Sequence, residues 1–153
     1  MPKSEKTLQI ENSIIRRFEE NKTKETSVFL SREVKVSTYN RCDLAGYEVH
    51  KGKVMENDSI GIEVKISKAD FLSGYGTNFC FNWNYVAVPP ELVGYALRRL
   101  RSLNFDCVGI LECCNNGHVF IAKFPRYQFL KGQHYNAAKI FMSARHFEMI
   151  KSE

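Results

Sequence analysis

A chain of 153 residues that is 44% hydrophobic and 25% charged has the size and make-up of one globular domain, which excludes fibrous, collagen-like and wholly disordered classes. No run approaches the roughly 18 to 20 apolar residues of a membrane span, and no apolar segment follows the charges of Met1 to Lys6, so neither a transmembrane helix nor a signal peptide is expected. The 22 Lys and Arg exceed the 17 Asp and Glu, for a net charge of +5, and the excess sits in the last third.

Between Cys113 and Phe147 there is no acidic residue, while Lys123, Arg126, Lys131, Lys139 and Arg145 are interleaved with Phe120, Phe124, Tyr127, Phe129, Tyr135 and Phe141. That pattern suits a polyanion-facing surface, and equally a solvated face over a Phe-rich core. The five cysteines are odd in number, include the adjacent pair Cys113-Cys114 and contain no CxxC. They read as free thiols in a reducing compartment, the cytoplasm, rather than as a disulfide framework. Cys113, Cys114 and His118 lack a fourth ligand for zinc.

No repeat or Pro/Ser-rich linker divides the sequence, so one domain over residues 1–153 is expected. Ser4 is a candidate N-cap, and Leu8, Glu11, Ile14, Ile15 and Phe18 fall on one side of a helix over about residues 5–21. Strand-like pieces follow at 28–30 and 33–36, then at 42–49, and the turn-rich Glu56 to Ser59 leads into a strand over 60–66. A short helix begins near Ala69, and the Gly-rich Ser73 to Asn78, which lacks a P-loop lysine, serves either as a plain connection or to grip one DNA strand. Asn84 to Val88 is a buried strand stopped by Pro89-Pro90. A helix over 91–103 turns Arg98, Arg99 and Arg101 to solvent, strands follow at 108–113 and 118–124, and a helix over 136–151 ends the chain. The fold class is α/β, a central mixed sheet flanked by helices.

The segment from Ile60 to Ile66 alternates: Ile60, Ile62, Val64 and Ile66 face the core while Gly61, Glu63 and Lys65 share the other face, with Gly61 leaving room beside Glu63. Asp43 on the preceding strand can approach Glu63. Two carboxylates suit a hard cation such as Mg2+, and a neighbouring lysine suits a phosphodiester acquiring charge. Glu-x-Lys alone is a weak signal, since exposed pairs of this kind abound. Glu11, among apolar helix neighbours, needs a partner or a metal unless its carboxylate reaches water at the edge of that face.

Helix, Asp43, then Glu63-Val64-Lys65 resembles the PD-(D/E)XK nuclease superfamily. Glu63 to Leu72, Asn84 to Pro89 and Gly109-Ile110-Leu111 are similar in order to motifs of its MmcB-like branch of DNA-repair nucleases, over about residues 5–125. The resemblance implies a restriction-endonuclease-like core, Asp43 and Glu63 as ligands of Mg2+ or Mn2+ with the Val64 carbonyl completing the set, Lys65 as the catalytic lysine, and Glu11 as an auxiliary acid. It further implies DNA as substrate in a repair, restriction or mobile-element setting, with Arg41 and Lys68 on flanking phosphates; Ser67 and Asp70 match the branch motif and can cap the helix near Ala69. Cys42 stands where the superfamily name has proline. The basic Arg98, Arg99 and Arg101 are candidates for nucleic-acid contact. RNA remains open as a substrate, a homodimer is expected if both strands of a duplex are cut, and the alternative is a nucleic-acid-binding module with little or no cleavage. No G-x-S-x-G is present, so a serine hydrolase has no support.

Overall fold

The computed structural model describes residues 3–36, 41–73, 79–130 and 148–149. Helix α1 (Glu5–Glu20) starts where expected because the Ser4 hydroxyl accepts from the Thr7 N–H at 3.1 Å, and it buries Ile10 and Ile14. Strands β1 (Thr26–Lys35), β2 (Arg41–His50) and β3 (Lys53–Val64) form an antiparallel meander. Helix α2 (Lys68–Leu72), strand β4 (Trp83–Val88), a 3-10 turn (Pro90–Leu92) and helix α3 (Val93–Ser102) come next, then β5 (Gly109–Cys113), β6 (Val119–Lys123) and β7 (Glu148–Met149).

The sheet order is β6-β5-β4-β3-β2-β1-β7, with β3, β4 and β5 parallel and the other neighbours antiparallel. The α/β architecture with a mixed sheet flanked by helices is therefore present. One core lies under α1, where Ile10 and Ile14 meet Leu44, Ile60, Ile62, Val64, Ala87 and Leu111. A second lies under α3, where Ala96 and Leu100 meet Val86, Val88, Val108 and Ile110. Among the described residues no helix is long and apolar enough to cross a membrane.

Three expectations are corrected. The two strand pieces at 28–30 and 33–36 are one strand, because Arg32 is held by Glu11 and the ladder passes from Arg32↔Leu44 to Val34↔Cys42. Between those pairs Glu33 adopts φ 54, a left-handed conformation that costs a non-glycine residue about 1–3 kcal/mol.

Glu56 to Ser59 is strand and not turn. The polar groups there are satisfied by neighbours: Asp58 accepts from Trp83 Nε1 at 3.0 Å, Ser59 bonds Asn82, and the Asn57 carbonyl accepts from the Tyr127 hydroxyl. The reversal falls instead at Lys51-Gly52, both at positive φ as a tight two-residue hairpin demands. The expected helix over 136–151 lies mostly outside the described residues, but Glu148–Met149 is strand, paired with Leu30 and Phe29 at the free edge of β1.

Candidate active site

The residues singled out in the sequence meet at the end of the sheet where β2 begins and β3 finishes. The β2-β3 ladder runs out at Leu44↔Ile62, one residue short of Asp43 and Glu63, whose carboxyls lie close enough to act on each other electrostatically. The Asp43 carboxylate is fixed there by accepting from the Val64 N–H at 2.8 Å. The carboxyl ends of the parallel strands β3 and β4 lie at this same end, the usual place for a ligand in an open α/β sheet.

Glu63 is 4% exposed, and its Oε1 is buried with no hydrogen-bond partner among the described residues. Burial first, and the neighbouring Asp43 charge second, push its carboxyl up to about 8, against the opposing pull of Lys65. Lys65 is 5% exposed. Its N–H donates to the Ala87 carbonyl and its Nζ to the Asp70 carbonyl at 3.2 Å. Both faces of the Glu63-Lys65 pair are thus covered, so the reading of an exposed surface ion pair is overturned.

Ser67 and Asp70 do cap α2. The Ser67 hydroxyl accepts from the Asp70 N–H at 3.2 Å, while the Asp70 carboxylate accepts from the Ile66 N–H at 2.9 Å. This pair of bonds locks the residues just after β3 to α2 and so sets where Lys65 lies.

Gly61 does leave space, but the Phe81 ring fills it: a Cβ there would lie 2.2 Å from that ring. The glycine admits a core aromatic residue and not a ligand. Cys42 is buried, its thiol pushed well up by burial, and donates toward the Ile62 carbonyl at 3.6 Å.

Glu11 is fully buried, which overturns the alternative of a carboxylate reaching water. Its partners are Arg32 at 2.8 Å and the ammonium of Lys3. Arg32 also donates to Asn12 at 2.7 Å. The Lys3 Nζ further meets Glu33 at 2.5 Å and Asp43 at 3.2 Å, so three carboxylates surround one ammonium. Although burial opposes its charge, these carboxylates hold the Lys3 ammonium above its ordinary pKa. Burial, ahead of the cations beside it, raises the Glu11 carboxyl.

Sequence reasoning missed Lys3, Arg32 and Glu33. Lys3 belongs to no periodic element, Arg32 fell in the gap between two strand pieces, and Glu33 read only as the first residue of the second. The one available signal was Glu11 itself: a carboxylate on an apolar helix face demands cations, and Lys3 and Arg32 are those cations.

Of the proposed nucleic-acid contacts, Arg41 is exposed two residues before Asp43 on β2. Lys68 is exposed on α2, its ammonium 5.4 Å from the Tyr95 ring centre on α3. Arg98, one turn on from Tyr95, and Arg101 are exposed as well. Arg99 is not: it is half-buried, with a buried Nε that has no partner among the described residues, because its position turns toward the flank of the core under α3.

Phe120, Phe124 and Phe129 are 52%, 74% and 81% exposed, so these three do not belong to a Phe-rich core. Lys131, Tyr135, Lys139, Phe141 and Arg145 lie outside the described residues, as do residues 74–78 of the Gly-rich segment.

The pH dependence of stability follows from Glu63. Its folded carboxyl titrates above its ordinary value of 4.5, so between there and about 8 the native state binds more protons than the unfolded chain. Stability from this group is complete below the lower value and declines as pH rises through the window. Glu11, raised for the same reason, adds a decline of the same sign. Urea titrations at pH 5 and pH 8.5 in the presence of EDTA are expected to show a lower midpoint at the higher pH, and Glu63→Gln should flatten that difference. An unchanged pH response in the variant would refute the assignment.

Among the described residues no three acidic, histidine or cysteine side chains enclose a point ready for a metal; the carboxylates are arranged around Lys3. The donors nevertheless suit a hard cation, being carboxylate oxygens with one buried oxygen left over at Glu63.

No protein-family model matches the chain, and no curated protein matches it in sequence. Among solved structures it is similar to SPO1766, a protein of unknown function from Silicibacter pomeroyi, with a TM-score of 0.65 and 16% identity over 93% of this chain and 87% of the other. At that identity the likeness concerns the fold.

Proposed function

We propose that this chain is a divalent-cation-dependent nuclease that hydrolyses phosphodiester bonds in DNA, in a repair, restriction or mobile-element setting, on a PD-(D/E)XK-type core. The observation that carries the reading is the buried, unsatisfied Glu63 Oε1 beside Asp43, with Lys65 two residues on, at the carboxyl ends of parallel strands. A buried carboxylate oxygen without a partner is costly, and a cation relieves that cost.

Asp43 and Glu63 would hold Mg2+ or Mn2+, with the Val64 carbonyl nearby in the chain to complete the set. When bound, such a cation lowers the pKa of a water and offsets charge gathering on the phosphate. Asp43 is oriented for this by the Val64 N–H, so its position needs no rearrangement. Lys65 supplies a fixed positive charge, held by α2, that offsets the negative charge the phosphate gains as the bond breaks. Glu11 acts at one remove, anchoring Arg32 and Lys3 around the site. Lys68 and Arg98 are suited to flanking phosphates, as is Arg41 beside Asp43. RNA shares the phosphodiester, and cutting both strands of a duplex calls for a homodimer. Free thiols at all five cysteines favour a reducing compartment such as the cytoplasm.

The test is cleavage of end-labelled single-stranded, duplex and branched DNA, and of RNA, with Mg2+, Mn2+ or EDTA. Cutting that needs the cation is the expected result; its absence with every substrate and cation would overturn the assignment. A second reading, a binding module without cleavage, is favoured by one observation, the Lys3 ammonium already paired with the site's carboxylates.

Both readings predict salt-sensitive binding. Lys68→Ala with Arg98→Ala should weaken DNA affinity at low salt and reduce the slope of log affinity against log salt by about 2 for a duplex. Arg101→Ala alone should reduce it by about 1 if it too meets a phosphate. Filter binding from low to moderate salt reads the slopes, and unchanged slopes would remove α2 and α3 from the interface.

A further inference from the structure

We infer that the Lys3 ammonium is a tethered cation standing in the position a divalent ion would take, so that metal binding proceeds by displacing it. This rests on the nuclease reading of the site and adds how access to that site is controlled.

The geometry is that of an ion in a ligand cage. Lys3 Nζ touches Glu11 from α1, Glu33 from β1 and Asp43 from β2, three carboxylates from three elements converging on one nitrogen. Surface lysines rarely gather more than one carboxylate, and exposed pairs contribute little. Here Glu11 is fully buried and the Lys3 side chain only 19% exposed, so the ammonium has given up most of its water for those oxygens.

The charge count points the same way. Around the Lys3 Nζ, Glu11, Glu33 and Asp43 are three carboxylates, and Lys3 and Arg32 are two cations. With Lys3 in place the cluster is one positive charge short. A divalent ion in its place would balance it.

Lys3 is also able to leave. It precedes the Ser4 N-cap and belongs to neither a helix nor a strand, so its side chain can swing to solvent without breaking an element. Arg32, by contrast, is anchored in the β1 ladder and stays with Glu11. Glu33, held at φ 54 with its carboxylate on Lys3, would then be released toward the incoming ion.

If Lys3 occupies the position about nine-tenths of the time, apparent metal affinity is reduced about tenfold. Mn2+ binding, followed by electron paramagnetic resonance and by calorimetry, is therefore expected to tighten about tenfold or more in Lys3→Gln. It should stay weak in Lys3→Arg, which keeps the charge, and weaken in Glu63→Gln. Lys3→Gln should also melt lower than wild type in EDTA and recover more on adding Mn2+. Because Lys3→Gln can fold poorly, the wild-type protein supplies an independent readout: amine labelling of Lys3, read by mass spectrometry, should be slow in EDTA and fast in saturating Mg2+.

Equal Mn2+ affinity in wild type and Lys3→Gln, with Glu63→Gln still impaired, would overturn the displacement while leaving the metal site standing. Labelling of Lys3 that ignores Mg2+ under conditions where Mg2+ binds would overturn it as well. No metal binding in any of the proteins would overturn both the displacement and the nuclease reading.

Discussion

Asp43→Asn is expected to reduce cation-dependent DNA cleavage by at least about 10²–10³-fold, the usual loss when one charge-stabilising group is removed from a reaction centre. The substitution keeps the shape and an oxygen able to accept from the Val64 N–H, so the strand end should hold. What it removes is the negative charge facing Glu63 and Lys3. Lys65→Met should cost a similar factor by a different route: it keeps the buried aliphatic stem and deletes the charge held at the Asp70 carbonyl. Cleavage rates under saturating Mg2+, alongside thermal melts of each variant, make the test. Loss of cutting with an unchanged melting temperature supports the assignment. Either folded variant cutting at the wild-type rate would remove that residue from the chemistry.

The largest effect on stability is expected at a residue far from any chemistry. Gly46→Ala should destabilise the fold by at least about 3 kcal/mol, at the upper end of overpacking penalties. Gly46 pairs with Leu30 on one side and Ile60 on the other, in the middle of the meander. A Cβ added there would lie 1.4 Å from the Phe29 carbonyl oxygen and 2.5 Å from its carbon, and backbone on a neighbouring strand cannot turn aside as a side chain can. For a domain of this size the melting temperature should fall by roughly 10 °C.

Gly52 provides the contrast. It has nothing within 4 Å of an added Cβ but sits at φ +77 in the hairpin, so Gly52→Ala should cost only about 1 kcal/mol, through backbone conformation. Urea denaturation measures both, and a loss below about 1 kcal/mol for Gly46→Ala would show that β1 and β2 can separate more readily than their packing indicates.

The order of elements was largely legible because periodicity and punctuation are local signals. Ser4 announced α1, Pro89-Pro90 closed β4, and the alternation from Ile60 to Val64 gave the inner half of β3. What misled were polar residues whose partners are distant in sequence. Asp58 and Ser59 looked like a turn because Trp83 and Asn82, which satisfy them, lie more than twenty positions away. Arg32 looked like a break because Glu11 lies on another element. Glu148–Met149 looked helical because the edge of β1 that pairs with it cannot be seen from composition.

For the candidate site, the residue types and spacing of Asp43, Glu63 and Lys65 were readable in the chain, since alternation alone puts Glu63 and Lys65 on one face and hydrophobic pattern sets the strand before them. Burial was not. Glu-x-Lys on a strand reads equally as a wet surface pair, and only the folded chain makes Glu63 a buried carboxyl raised to about 8, with Asp43, Cys42 and Cys80 beside it. Nor could the sequence reveal that a lysine ahead of the first helix would reach three acids on three elements. Local order follows from interactions a few residues apart, which sequence carries directly; the charge environment of a site depends on what tertiary packing brings within a few ångströms and on how much water it excludes, and that only the folded chain decides.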